Sequence, residues 1–110
     1  MISPFATSVL SATAAHLDSA CTHAHHNAGD DLLSPWANTA MSIHLAVGGL
    51  QLHLPGPVVP AEHPDCLTAL RAGADELARL PVEDALPLLD AVLVHTQLTA
   101  ALRYAQALQA

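Results

Sequence analysis

Apolar residues along this chain recur at three- and four-residue spacings. Trp36, Ala40, Ile43, Val47, Leu50 and Leu54 form one such series, and Leu67, Leu70, Ala74 and Leu77 form another. An α-helix turns once in about 3.6 residues, so this spacing gathers each series on one helical face. Toward the C-terminus two series run side by side. Leu86, Leu89 and Leu93 line one face, and Leu88, Val92 and Leu102 line the next. No run alternates apolar and polar residues between hairpin turns, so strands are not expected.

Start and stop signals divide the pattern into four helices. Ser3-Pro4 and Ser34-Pro35 are paired start signals. The serine accepts a bond from a free helix N–H, and proline at the first turn has no donor to waste. Gly29 supplies a left-handed stop for the first helix. Three prolines and a glycine between residues 55 and 60 make an extended connector. Pro64-Asp65 opens the third helix, and Pro81 closes it at Leu80. Asp84 is the expected cap of the fourth helix, with Pro87 inside its first turn. The predicted helices cover residues 4–27, 35–54, 64–80 and 84–109. Short connections between helices predict an antiparallel up-down four-helix bundle, one all-α domain over residues 1–110.

The second and fourth helices carry apolar residues on more than one face, which a four-way bundle cannot hide. A second copy of the chain is the simplest cover, so a homodimer is expected, with a protein partner, a peptide or an apolar small molecule as other occupants.

Composition narrows the functional classes. Of 110 residues, 52% are hydrophobic and 12% charged, a balance that suits a packed domain and not a disordered chain. The net charge is −7, lysine is absent, and Arg71, Arg79 and Arg103 are the only cationic side chains besides histidine. Nucleic-acid binding and anionic membrane surfaces both need clustered cations, so neither is expected. Residues 32–61 hold no acidic or basic side chain apart from histidine. They do hold Asn38, His44, Gln51 and His53, with no basic flanks, so a buried helix fits better than a membrane span. Cys21 and Cys66 form no Cys-x-x-Cys pair. They read as buried free thiols in a reducing, cytoplasmic compartment. Ala12-Thr13-Ala14 has no basic residue before it and reads as helix, not as a cleavage site.

Eight histidines are the unusual chemical supply. His16, His44 and His95 continue apolar series on three different helices. If those faces turn inward, the three imidazoles converge, and a buried histidine is then a candidate general acid or base. Tyr104 joins them as a candidate catalytic residue, and Trp36, Met41 and Arg103 are candidate ligand or interface residues. His23 and His26 stand one turn apart near the end of the first helix. They are weak metal candidates, although histidines there also suit the negative end of a helix dipole. Asp90, in an apolar part of the fourth helix, is either a solvated position or a partner for Arg103 or a histidine. Arg71 and Arg79 are expected to pair with Asp75 and Glu76 on the surface. Phosphate loops, dinucleotide fingerprints, the nucleophile elbow, His-Glu-x-x-His and paired Glu-x-x-His motifs are all missing, so no cofactor is expected.

Two expectations follow. The first is a helical module that self-associates and docks a protein or apolar ligand. The alternative is a small cofactor-free enzyme of cyclase or isomerase type, acting on a peptide or polyketide natural product. Its pocket would lie within the bundle or at a dimer interface, with histidine moving protons.

Overall fold

The computed structural model describes residues 3–80 and 86–109. Among these residues there are four α-helices: α1 (Pro4–Ala28), α2 (Pro35–Gln51), α3 (Cys66–Leu77) and α4 (Leu88–Gln109). No strand occurs among the described residues.

The caps follow the sequence signals. The Ser3 hydroxyl accepts from the Ala6 N–H at 3.1 Å, and the Ser34 hydroxyl accepts from the Trp36 N–H at 3.1 Å. Asp65 caps α3 by accepting from the Thr68 N–H at 2.8 Å. Gly29 ends α1 with φ at +58°, a left-handed angle that glycine adopts without strain. Two helices end sooner than periodicity suggests. After Gln51 the chain tightens into i→i−3 bonds from His53 to Leu50 and from Leu54 to Gln51. After Leu77, bonds from Arg79 to Glu76 and from Leu80 to Leu77 do the same. Such tightening satisfies the last carbonyls of a helix ahead of a proline, which stands at 55 and again at 81. The expected cap Asp84 lies outside the described residues. Pro87 stands just before α4, not inside its first turn, and its carbonyl accepts from the Ala91 N–H at 2.9 Å.

The core is aliphatic. Leu10, Leu17, Ile43, Leu50, Leu70, Val94 and Leu98 are buried, with alanines at 14, 20, 24, 40, 46, 69, 101 and 105 between them. Burying each leucine contributes roughly 1.5–3 kcal/mol. The many alanines let helix axes approach closely, as do two glycines. A methyl group added at Gly73 would stand 2.8 Å from a Leu17 methyl, and one at Gly49 would stand 3.0 Å from Val94.

On α2 and α3 the buried face is the expected one. On α4 it is not. Val94, Leu98, Ala101 and Ala105 face the core, while Leu88, Leu89 and Val92 are exposed. Both faces of α4 are apolar, and the small Ala101 and Ala105 give the closer fit.

α1 packs extensively against α2 and α3, and α4 packs against the same two helices. α2 and α3 are consecutive in sequence yet are not an extensively packed pair. The expectation that short connections make neighbours of successive helices therefore does not hold between them. The reason lies in residues 52–65, where Pro55, Pro57, Pro60 and Pro64 keep the chain extended over most of its length. This connector runs along α1, where the Ala61 N–H donates to the Ala15 carbonyl at 3.0 Å.

Candidate functional site

The connector brings histidines to α1. Leu17 is wholly buried, so its neighbour His16 stands at the margin of the buried face, half-buried. The Ala61–Ala15 hydrogen bond fixes the connector beside it and delivers His63. His16 Nδ1 and His63 Nε2 lie 2.8 Å apart, one donating and the other accepting. Their ring centroids are 4.9 Å apart and the rings are tilted by 54°. Seven residues after His16, and so on the same side of α1, His23 Nε2 stands 2.8 Å from the His63 carbonyl. A carbonyl only accepts, so this Nε2 carries hydrogen. His16 is held below the usual imidazole pKa, first by burial and then by the His63 ring, while Glu76 on α3 pulls the other way.

A second histidine ties α2 to α4. His53, just past the end of α2, places Nε2 2.7 Å from the Asp90 carboxylate in the first turn of α4, and both side chains are largely covered. Of the alternatives for Asp90, the structure therefore shows a histidine partner. Arg79 pairs with Glu76 at 2.7 Å as expected; Arg71 makes no ion pair among the described residues.

The three histidines expected to converge do not. His44 and His95 are both exposed, and of the three only His16 enters a partly buried contact. The series that carry His44 (with Met41) and His95 (with Leu88 and Val92) turn outward because the alanine-rich faces of α2 and α4 take the core. His44 and Met41 instead line a groove of about 470 Å³ where α1 meets α2, with His25, Asp31 and Leu32. His95 and Arg103 line a separate shallow depression on α4. Tyr104 is exposed, and Trp36 is half-buried against the core. Within the single chain, Met41 and His44 line one groove and His95 and Arg103 another. His23 is engaged by the connector, while His26 is exposed. Among the described residues, no three His, Cys, Asp or Glu side chains gather as a metal cage.

His53 and His63 are the residues that sequence reasoning missed. They flank the proline-rich connector, and that position was the available signal: a polar group at each end of an extended segment that must be held against helices. Cys21 and Cys66 are buried free thiols. Burial, together with Asp65 and then Cys21, pushes the Cys66 thiol up to about 12, so it is unreactive at neutral pH.

Among the described residues, several large apolar side chains are exposed. Leu52 follows α2, and Leu88, Leu89 and Val92 open α4; all four are exposed. Leu52 adjoins His53 and Leu89 adjoins Asp90, so the His53–Asp90 contact brings the exposed residues of the two helices to one end of the molecule. No helix of the described residues is long and apolar enough to cross a membrane. No protein family, no curated protein and no solved structure matches this chain.

Proposed function

We propose that this protein is a self-associating helical docking module, with two copies meeting across the apolar surface shared by the end of α2 and the start of α4. The observation that carries this reading is the exposure of four large aliphatic residues in that region: Leu52 (75%), Leu88 (78%), Leu89 (83%) and Val92 (54%). Large apolar side chains left exposed in one region of a small protein are a mark of an interface. The surface also suits a copy of itself. α2 carries no acidic or basic side chain apart from His44, and Asp90, next to Leu89 in the chain, is already engaged by His53. A two-fold contact there would leave that carboxylate paired. Free buried thiols are in keeping with a cytoplasmic setting.

The reading includes a bundle in which each helix runs antiparallel to its two packed neighbours. End contacts support it. The Gln109 side chain at the end of α4 accepts from the Leu67 N–H at the start of α3 at 3.0 Å. The Arg79 guanidinium, past the end of α3, lies 5.8 Å from the Phe5 ring centre at the start of α1. Asp90 at the start of α4 meets His53 past the end of α2. The order is then up, down, down, up, with the connector returning along α1.

Sedimentation equilibrium tests the proposal. A dimer is expected in the unaltered protein, and Leu89→Glu with Val92→Glu should give a monomer of unchanged helix content. A chain that stays monomeric up to its solubility limit would sink it.

A second reading rests on the α1–α2 groove. Its size is that of a small-molecule site, and His44 beside Met41, His25 and Asp31 supplies an exposed imidazole for proton transfer. This is the cofactor-free enzyme of cyclase or isomerase type. A ligand found by screening that binds the unaltered protein, and binds His44→Ala or Met41→Ala more weakly, would favour it.

A further inference from the structure

We infer that His16 and His63 form a two-imidazole site for a divalent transition ion of the Cu(II) or Ni(II) type. The two facing nitrogens, Nδ1 of His16 and Nε2 of His63, are 2.8 Å apart. At metal–nitrogen lengths of about 2.0–2.1 Å, two imidazoles on one ion have nitrogens about 2.9 Å apart in a square or octahedral site, and about 3.4 Å apart in a tetrahedral one. The observed separation is that of the N–H···N hydrogen bond the pair makes without an ion, and it already lies closer to the right-angle arrangement than to the tetrahedral one. Square-planar and tetragonal nitrogen sites are those of Cu(II) and Ni(II), whereas Zn(II) prefers the wider tetrahedral spacing.

The ligands are held in place without an ion. His63 is pinned on both sides, by the Ala61 N–H on the Ala15 carbonyl and by the His23 ring on its own carbonyl. His16 is fixed by α1 beside the buried Leu17 and opposite Gly73, whose lack of a side chain leaves room for the packing. Glu76 of α3 acts on His16 with the sign that stabilises positive charge, against the larger effects of burial and the His63 ring, and the chain is net negative.

Binding asks for one proton rearrangement. In the hydrogen-bonded pair one facing nitrogen bears the shared hydrogen. That hydrogen must move to the far nitrogen of its own ring so that both facing lone pairs reach the ion. A neutral pair therefore binds without net proton release, and a singly protonated pair releases one proton. No third carboxylate, thiol or imidazole closes the site among the described residues. The remaining positions would hold water, leaving an open coordination sphere that an anionic or nitrogenous small molecule could enter.

The test is a Cu(II) and Ni(II) titration of tag-free protein at about pH 7.5, where histidine is mostly neutral, read by calorimetry and by the Cu(II) electron paramagnetic resonance spectrum. One ion per chain is expected, with two coordinated imidazole nitrogens. His16→Gln and His63→Gln should each weaken binding by about tenfold or more while keeping the helical circular dichroism. The double substitution of His25 and His26 by Ala should leave it unchanged. Nickel-induced broadening of the His16 and His63 ring signals in the unaltered protein provides a readout that needs no variant to fold. Loss of binding that follows His25 and His26, broadening confined to those exposed rings, or no stoichiometric binding would overturn the inference.

Discussion

His53 Nε2 stands 2.7 Å from the Asp90 carboxylate and joins the end of α2 to the start of α4. The pair closes the bundle at the end where the connector leaves α2. A hydrogen bond to a charged group at a partly covered site contributes about 1.5–3 kcal/mol, less where water reaches it. His53→Ala and Asp90→Ala should each lower stability by about 1–2 kcal/mol. The double variant should lose less than the sum. Urea unfolding of the four proteins in a double-mutant cycle checks this, and strict additivity would show that the contact has no energetic weight.

Gly73 and Gly48 should respond oppositely to alanine. Both lie inside helices, where alanine is favoured over glycine by about 0.5–1 kcal/mol. At Gly48 the new methyl meets nothing within 4 Å, so Gly48→Ala should stabilise by that amount. At Gly73 it would meet Leu17 Cδ2 at 2.8 Å and Cγ at 3.3 Å. Leu17 is fully buried and cannot swing into solvent. Overpacking costs about 1–3 kcal/mol, so Gly73→Ala should be net destabilising. Thermal melts of the two variants measure the difference in sign.

His16 should make stability fall on mild acidification. Its folded pKa lies below the free value of 6.5 because of burial and the His63 ring. Below about 6.5 the unfolded chain takes up a proton that folded His16 resists. Its contribution is complete above 6.5 and is lost as pH drops from there through the folded pKa. His16→Gln should flatten this part of the profile. The check is urea unfolding across the range about 7.5 to 5.5, and an identical slope in the variant would contradict it.

Asp65 acts at lower pH with the opposite ionisation. The Thr68 N–H holds its carboxyl below the usual carboxylate value. Its stabilising effect is present above the ordinary aspartate value of 3.8 and is lost as pH falls through the folded pKa. As the cap of α3, Asp65→Ala should cost about 0.5–2 kcal/mol at neutral pH, while Asp65→Asn, which can still accept from Thr68, should cost less. Comparing the two unfolding curves at neutral and acid pH separates the cap from the charge.

The candidate site was legible only in pieces. The α1 series marks His16, but periodicity points to partners on α2 and α4, not on the connector. His44 and His95 follow the same three-four spacing as core residues, and periodicity alone cannot distinguish a face that turns inward from an apolar face that turns out. His53 and His63 belong to no series, so nothing in their spacing marked them.

By itself the sequence determined four helices, the Ser-Pro caps of two of them and the acidic start of α3 at Asp65, the proline-rich connector and the surplus of apolar surface. Those are local matters, settled by hydrogen bonds within a turn and by the 3.6-residue period. The tertiary structure decided which apolar face each helix buries, that α1 and α4 share α2 and α3 as neighbours, and that His63 meets His16. Such outcomes depend on how closely alanine and glycine faces let helices approach, and on where an extended segment comes to rest. Both are set by packing between residues far apart in the chain, which spacing along it does not encode.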